Sequence, residues 1–286
     1  MKRRTKIICF ILFFIILLAW GGKQLQETLK PAIGILEIDG GIVSSEPYLE
    51  TIREYEEDDA VKAILIRVDS PGGVVGPSQE VYAALLRLKG KKPLIASLGA
   101  VGASGAYYIA CAADTIYALP GTMTGSIGVL LEFLDVSEGL SKLGIKAGSI
   151  TSGTLKDAGT PFRPMTQEER SYFMEITKDV HEQFLEAVAK SRHIPIENLR
   201  KYADGRIFTG RQAQKLGLID KIGGYDNALQ DAKRRAGITG EPRILRPKEP
   251  IGIFETLGRF LDSSYPISLE GKGRTMRSVN LKYSVY

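Results

Sequence analysis

The feature that most constrains this chain is an alternation of short apolar runs with amphipathic stretches between residues 32 and 235. The runs are almost continuously apolar, as in V-K-A-I-L-I-R-V at 61–68, whereas the stretches between them carry apolar residues at helical spacing. Strands that are covered by helices on both faces have this pattern, and helical connections join parallel strands. The sequence therefore predicts an α/β domain with a parallel sheet, whose ligands gather at the carboxyl ends of the strands.

Most of the elements in this domain follow from apolar spacing and turn residues. The predicted strands are 32–38, 61–68, 93–98, 115–119, 128–134 and 146–151. The predicted helices are 46–57, the stretch after 76 to about 88, a short one after Ser104, 137–143, the stretch after Thr166 to about 192, a short one opened by Pro195, one after Gly210, and 225–235. Thr166 and Glu169 form a capping box, which fixes the start of the longest helix.

Ser104 lies in the stretch A-V-G-A-S-G-A-Y-Y-I-A-C-A-A-D at 100–114, between a predicted strand and a short apolar helix. A serine on a glycine-bounded strand-to-helix turn has its hydroxyl beside backbone N–H groups and near the positive end of the helix. We therefore take Ser104 as a candidate nucleophile. The alternative is that Ser104 is an ordinary helix N-cap in a small-residue turn.

A serine hydroxyl needs a base to remove its proton, and the choice of base is narrow in this chain. No histidine precedes Ser104, and His181 lies inside the predicted long helix, where we interpret it as a packing residue. His193 lies at the end of that helix and is an awkwardly placed candidate base. Lys156 lies in a Gly/Pro-rich loop at 152–166 and is the candidate general base. A lysine base must be largely neutral near pH 7, which burial in apolar surroundings favours. The alternative is an exposed loop lysine.

Glycines near these residues are candidates for an oxyanion hole. Gly72 and Gly73 follow a predicted strand in D-S-P-G-G at 69–73, and Gly105 follows Ser104. Their backbone N–H groups can stabilise a developing negative charge, and the missing side chain lets a substrate backbone approach closely. A plain turn also explains the Asp-Ser-Pro-Gly sequence, so this alternative stays open.

Composition excludes several other classes of function. The net charge is +5, but four positive charges lie within residues 1–6, so the rest of the chain gives no support for binding nucleic acid. The two cysteines, Cys9 and Cys111, lack metal-ligand spacing and do not suit a structural disulfide. The two histidines have no paired ligands nearby, so we expect no zinc site and no cofactor.

The N-terminus predicts a membrane element. Residues 1–6 form a basic flank, and the run 7–22 is uncharged and strongly apolar. This run is slightly short for a bilayer span and also fits the apolar core of a signal peptide, with Ala19-Trp20-Gly21 as a possible cleavage site. We expect a retained single-pass anchor with the basic flank in the cytoplasm and the rest of the chain outside. A linker at 23–31, a main domain at 32–244 and a tail at 245–286 would follow, the tail holding an amphipathic helix around 253–261 and a strand-like end at 279–285.

Four ordered motifs carry a resemblance to a known family. They are D-S-P-G-G at 69–73, A-S-G-A-Y-Y-I-A at 103–110, T-G-S-I-G at 124–128 and S-G-x-x-K-D-x-G-x-P-F-R at 152–163. From residue 31 to about 240 the chain resembles the signal peptide peptidase A family, in its short bacterial form. The resemblance implies the Clp-protease/crotonase-like fold, a repeated ββα superhelix, and a membrane-anchored serine protease. It implies that Ser104 is the nucleophile, Lys156 the base and Ser126 the residue that orients this lysine. Gly72, Gly73 and Gly105 would form the oxyanion hole.

The resemblance also implies partners and a location. The serine and the lysine would meet across neighbouring subunits of a homo-oligomeric ring on the outer face of the cytoplasmic membrane. The substrates would be residual signal peptides and related apolar peptides, which would add as a strand beside the 69–76 loop. Three alternatives stay open at this point: a protease of the same fold that cleaves a stomatin-type membrane partner, a crotonase-like acyl-thioester enzyme, and an inactive scaffold.

Overall fold

The computed structural model describes residues 30–247, together with Phe13 and the pair 282–283. The described strands are β1 (Ala32–Ile42), β2 (Val61–Val74), β3 (Leu94–Ala103), β4 (Thr115–Ala118), β5 (Met123–Gly125), β6 (Ile207–Thr209), β7 (Lys221–Ile222), β8 (Arg243–Leu245) and β9 (Lys282–Tyr283). The described helices are α1 (Glu46–Glu57), α2 (Val75–Leu88), α3 (Gly105–Ala110), α4 (Ser137–Lys142), α5 (Gln167–Arg192), α6 (Ile196–Leu199), α7 (Gly210–Lys215) and α8 (Tyr225–Arg235).

The described strands form one sheet in which most neighbours are parallel. Its main path runs in the order β6-β5-β3-β2-β1-β8, with β4, β7 and β9 attached beside this path. β3 changes partner along its length, because 95–98 pair with β4 and 101–103 pair with β5. Only two of the described pairings are antiparallel, β5 with β6 and β2 with β9. The predicted α/β class is therefore confirmed, and the architecture is consistent with the Clp-protease/crotonase-like fold.

Both faces of the central strands are buried, which explains their nearly continuous apolar sequences. In β2, Ile64 and Ile66 belong to the larger core, which also contains side chains of α1, α2, α3 and α5. Ala63 and Leu65, which alternate with them, belong to a smaller core on the opposite face, where α8 contributes Ala228 and Ala232. Successive residues of β2 thus point to opposite layers, and the sheet is held between helices on both sides.

Several predicted strand bounds are wrong. β1 continues to Ile42, beyond its predicted end at residue 38, and β2 continues through the D-S-P-G-G motif to Val74, because Gly41 pairs with Gly72 and Ile42 with Gly73. The predicted strand at 128–134 is reduced to a single bridge at Leu130, and the segment 146–151 forms no strand. A strand needs a neighbouring strand to pair with, and among the described residues neither segment has one along its length.

The predicted elements at the two ends of the chain fall mostly outside the described residues. The predicted membrane segment at 7–22 lies outside them except for Phe13, and so does the predicted amphipathic helix at 253–261. Among the helices that the structure describes, none has the length and apolar composition needed to cross a bilayer. The domain boundaries at 32 and 244 stay predictions.

Candidate active site

The ends of three neighbouring parallel strands bring most of the predicted site residues to one edge of the sheet. Ser104 directly follows β3, and Ser126 directly follows β5, which pairs with β3. Gly72 and Gly73 lie near the end of β2, the neighbour of β3 on its other side. The carboxyl ends of parallel strands lie at the same edge, so the four residues are neighbours in space although they span more than 50 positions of sequence.

The backbone of Ser104 has an unusual conformation. Its φ is 54° and its ψ is −125°, a combination that few residues other than glycine adopt. The Ser104 N–H donates a hydrogen bond to the Gly125 carbonyl at 2.8 Å, and the Ser104 carbonyl accepts one from the Tyr108 N–H at 2.9 Å. Such a conformation costs about 1–3 kcal/mol and persists only where the surroundings enforce it. The turn therefore holds Ser104 in a strained position between β3 and α3.

The helix that follows Ser104, α3, holds Ser104 in this backbone conformation. All six residues of α3 are buried. The Tyr107 hydroxyl donates to the Leu218 carbonyl at 2.7 Å, and the Tyr108 ring packs edge-on against Tyr82 with centroids 4.7 Å apart. Since α3 is fixed in the core on every side, the turn before it cannot relax to an ordinary helix start.

The Ser104 hydroxyl has no structural role among the described residues. Ser104 occupies the N-cap position of α3, but its side chain makes no capping hydrogen bond. Its Oγ atom is buried and has no hydrogen-bond partner in the part of the chain that the structure describes. A buried polar atom without a partner is unfavourable and calls for an explanation. The N-cap alternative does not supply one, because the hydroxyl caps nothing.

The glycine-containing end of β2 is ordered by a serine that the sequence analysis did not single out. The Ser70 hydroxyl is buried, donates to the Gly40 carbonyl at 2.6 Å and accepts from the Gly72 N–H at 3.1 Å. Gly72 has a φ of 105°, which an L side chain rarely adopts. At Gly73 a Cβ would lie 2.1 Å from the Ile42 carbonyl oxygen, so only glycine fits there. The Gly72 N–H thus already donates to Ser70, whereas the Gly73 backbone lies so close to the Ile42 backbone that it requires glycine.

Ser126 has the second strained backbone at this edge. Its φ is 50°, and its N–H donates to the Arg206 carbonyl at 2.9 Å. The preceding Gly125 has a φ of 83° and packs against the Phe208 ring, where a Cβ would come within 2.7 Å. The β5–β6 pair therefore fixes Ser126 one strand away from Ser104, while the Gly125 carbonyl holds the Ser104 backbone.

Lys156 lies in a different environment. It belongs to a segment, residues 128–165, that we call the Lys156 arm, and none of its residues is buried. Lys156 itself is exposed, and its backbone N–H donates to the nearby Gly153 carbonyl at 3.1 Å. Because the Ser104 Oγ has no hydrogen-bond partner among the described residues, Lys156 does not hydrogen-bond to it within this chain. The predicted nucleophile and the predicted base are therefore not paired within one chain.

No other described group takes the place of that base. The Nε2 atom of His181, on α5, is buried without a hydrogen-bond partner among the described residues and therefore does not hydrogen-bond to Ser104 Oγ. His193 ends α5 in the left-handed conformation, with a φ of 53°. Burial raises the pKa of the Cys111 thiol to about 12, so that Cys111 stays protonated and is a poor nucleophile at neutral pH. The described residues include no cluster of three or more His, Cys, Asp or Glu that could hold a metal ion.

The sequence analysis quoted two motifs without assigning a role to all their residues. Ser70 and Gly125 both lie inside quoted motifs, and their roles depend on contacts with Gly40 and Ser104 that no local pattern reveals. An ion-pair network at the base of the Lys156 arm, centred on Arg163, was also missed. The only indication in the sequence was the position of this arginine in the fourth motif.

The chain is similar to known proteases over most of its length. Residues 87–239 match the model of a family described as peptidase family S49. A protein of a Synechocystis species, named as a protease, is 40% identical over 74% of this chain and 77% of its own length. A protein of Enterococcus faecium named as a signal peptide peptidase is 36% identical, over 67% of this chain and 56% of its own length. A chloroplastic serine protease of Arabidopsis thaliana is 36% identical over 72% of this chain and 30% of its own length.

Proposed function

Because the chain belongs to peptidase family S49, we propose that it is a serine endopeptidase in which Ser104 is the nucleophile and Lys156 of a neighbouring copy is the general base. The observation that carries this proposal is the Ser104 hydroxyl, which is buried without a partner among the described residues, on a strained strand-to-helix turn. A nucleophile held in this way is already oriented before the substrate binds. Membership of a peptidase family also disfavours the alternative that the chain is a crotonase-like acyl-thioester enzyme.

The reaction would begin with proton transfer. The neutral amine of Lys156 takes the proton from Ser104 Oγ while Oγ attacks the peptide carbonyl carbon. The carbonyl oxygen becomes an oxyanion, and the N–H groups of Gly73 and Gly105 donate to it. Gly105 is the first residue of α3, where a backbone N–H has no partner within the helix. Ser126, one strand away, would hold the lysine amine by a hydrogen bond.

The second half would complete an ordinary acyl-enzyme cycle. The C–N bond of the intermediate breaks, and the leaving amine receives the proton that Lys156 carries. Water then loses a proton to Lys156 and attacks the ester at Ser104, which releases the acid product and returns the proton to the serine oxygen. No atom outside the peptide, water and these side chains is needed for the balance.

A second copy of the chain would complete the site. The Lys156 arm has no buried residue, and its exposed apolar side chains include Leu134, Leu143 and Ile150. Several large apolar side chains exposed on one segment are typical of an interface. A head-to-tail contact in which each arm reaches the Ser104 site of the next copy closes into a ring. This arrangement explains why the lysine is exposed and why the serine lacks a partner among the described residues of one chain.

The substrate would be an extended peptide that adds to the sheet beside the glycine-containing end of β2. Residues 282–283 pair antiparallel with Gly73 and Val74, which supports the idea that this edge of β2 accepts an extended segment. Main-chain hydrogen bonds would give affinity, and alternate side chains would enter pockets. A substrate must displace the 282–283 pair to reach this position.

We further propose that the apolar run at 7–22 anchors the chain in the cytoplasmic membrane, with the main domain on the extracytoplasmic side. Signal peptides left in the bilayer are apolar and would reach such a site directly. The Enterococcus faecium relative is named as a signal peptide peptidase, which supports this substrate class. An apolar signal-peptide sequence should therefore be cleaved faster than a polar peptide of equal length.

A fluorophosphonate probe, which reacts with activated serine hydroxyls, tests the proposal in the full-length assembly. We expect one equivalent of label per intact site, mapped to Ser104 by peptide mass, and no label in Ser104→Ala. Ser97→Ala is the matched control, because Ser97 is a buried serine of β3 that contacts Arg67 instead of the site. Labelling that persists in Ser104→Ala would overturn the assignment.

A further inference from the structure

A network of three charged residues joins the Lys156 arm to the longest helix. Arg163 donates to Asp157 Oδ1 through Nη2 at 3.0 Å and to Glu169 Oε2 through Nη1 at 3.0 Å. Asp157 directly follows Lys156 in the sequence and also accepts a hydrogen bond from the Ser149 hydroxyl at 2.5 Å. One guanidinium thus holds the carboxylate of the residue that follows the proposed base in sequence, together with a second carboxylate on α5.

Glu169 makes the α5 end of this network rigid. Its side chain is 3% exposed, and it completes the capping box of α5 by accepting from the Thr166 N–H at 2.9 Å. α5 itself is anchored in the core through Phe184, Leu185 and Val188. A buried carboxylate needs a charged partner, and Arg163 provides it. Because Arg163 binds both Asp157 and Glu169, it attaches Asp157 on the arm to a helix that is packed in the core.

The loop around Lys156 has few other restraints. Its backbone hydrogen bonds between 153 and 160 are short-range turns, in which the N–H groups of Lys156, Ala158 and Thr160 bond to carbonyls three residues earlier. Hydrogen bonds from Ser149 and Arg163 lower the pKa of Asp157, and hydrogen bonds from Arg163 lower the pKa of Glu169, so both carboxylates are charged at neutral pH. Arg163 supplies one positive charge against these two negative ones, so its removal would leave both carboxylates without a cation, including the one on the residue next to Lys156.

We propose that Arg163 is a positioning residue for Lys156, which it serves by binding the Asp157 carboxylate, attaching the loop to α5 and compensating the charge on the residue that follows the base. The inference rests on the proposed role of Lys156 as general base. An uncompensated carboxylate stabilises a neighbouring ammonium, and so makes the base harder to deprotonate. The other charged residues that line the groove between the arm and α5 are Asp135 and Arg170.

The pH profile of kcat/KM for peptide cleavage by the full-length assembly tests this role. In Arg163→Met we expect the acid limb to move to higher pH by about one unit, because Asp157 is no longer compensated. In Arg163→Met/Asp157→Asn the acid limb should return toward that of the wild type, although kcat stays low because the anchor is lost. Arg163→Lys should keep the acid limb near its wild-type position. Arg170→Met, which removes a cation from the same groove, should leave the limb unchanged.

Two outcomes would overturn the inference. An acid limb in Arg163→Met that coincides with that of the wild type means that Arg163 does not compensate a charge at the base. A limb that stays shifted in the double variant means that Asp157 is not the charge involved. If Arg163→Met does not assemble, Arg163→Gln is measured in its place against the same criteria. The proposed function fails differently, by activity that persists in Lys156→Ala or by a probe that does not label Ser104.

Discussion

The two halves of the proposed site are built in opposite ways. The serine half, with Ser104 and Ser126, lies on the ends of packed strands, and α3 behind it is wholly buried. The lysine half lies on an arm without a buried residue, held to the body by side-chain contacts such as those of Arg163. A core can store backbone strain at a nucleophile, whereas an exposed arm can deliver a side chain to another molecule.

This difference gives the two halves distinct vulnerabilities. Changes at the serine half should affect catalysis through geometry, since its neighbours cannot move. Changes on the lysine half should affect catalysis through position, charge and assembly. The variants below use this contrast, beginning with the largest expected effect.

Lys156→Ala should lower kcat/KM for peptide cleavage by about 10²- to 10⁴-fold, the usual contribution of a general base. Lys146→Ala is the matched control, because it removes another exposed lysine from the same arm, and it should change activity by less than about threefold. His181→Ala should also stay active. If His181→Ala loses activity while Lys156→Ala keeps it, the assignment of Lys156 as the general base is wrong.

Gly73→Ala should lower kcat by about 10²-fold or more, because a Cβ would lie 2.1 Å from the Ile42 carbonyl oxygen, so that the backbone must shift and displaces a proposed oxyanion donor. Gly76→Ala, three residues away, has nothing within 4 Å of its Cβ and should be nearly neutral. Single-turnover kinetics and circular dichroism separate loss of chemistry from loss of structure. Equal activities for the two variants would remove Gly73 from the site.

A chain that ends at residue 281 should have a lower apparent KM for peptide, by about threefold or more, with kcat unchanged. The 282–283 pair occupies the edge of β2 that a substrate would use, and a competitor within the chain raises the apparent KM. Initial rates against substrate concentration measure the change. An unchanged or higher KM would mean that the substrate does not add beside Gly73 and Val74.

Low pH should weaken the ion pairs of Arg163 with Asp157 and Glu169, which hold the Lys156 arm to α5, before it affects the serine half. The pKa values of Asp157 and Glu169 are lowered in the folded chain, so their stabilisation is present above their unfolded values of about 3.9 and 4.3 and is lost as pH falls through the folded values. Between about pH 5 and 3 the thermal midpoint of the wild type should fall more steeply than that of Glu169→Gln, by about 2 °C or more. Parallel slopes in differential scanning calorimetry would contradict this link.

Local patterns were sufficient for much of the fold. The predicted bounds of α1 and α8 match the structure, and the predicted capping box of Thr166 and Glu169 is present. The reason is that helical periodicity and capping depend on residues within a few positions of one another. The predicted strands at 128–134 and 146–151 are wrong, because a strand also needs a partner strand, which the local sequence does not specify.

The site could be predicted in part for a related reason. Ser104, Ser126 and the glycines follow strands whose ends had to meet at one edge, so a parallel sheet was enough to group them. Ser70 was missed because its role depends on Gly40, 30 residues away. The contacts of Arg163 depend on how the arm packs against α5. The proposed relation of Lys156 to Ser104 depends on a second chain, which a single sequence cannot position.

The most direct measurement of the central claim is complementation between two inactive variants. Ser104→Ala and Lys156→Ala are co-expressed with different affinity tags, and assemblies that carry both tags are purified and assayed. In randomly mixed rings about a quarter of the sites combine an intact Ser104 with an intact Lys156 from the next copy, so we predict about a quarter of the wild-type activity. Mixed assemblies that carry both tags and remain as inactive as either variant alone would contradict a site shared between chains.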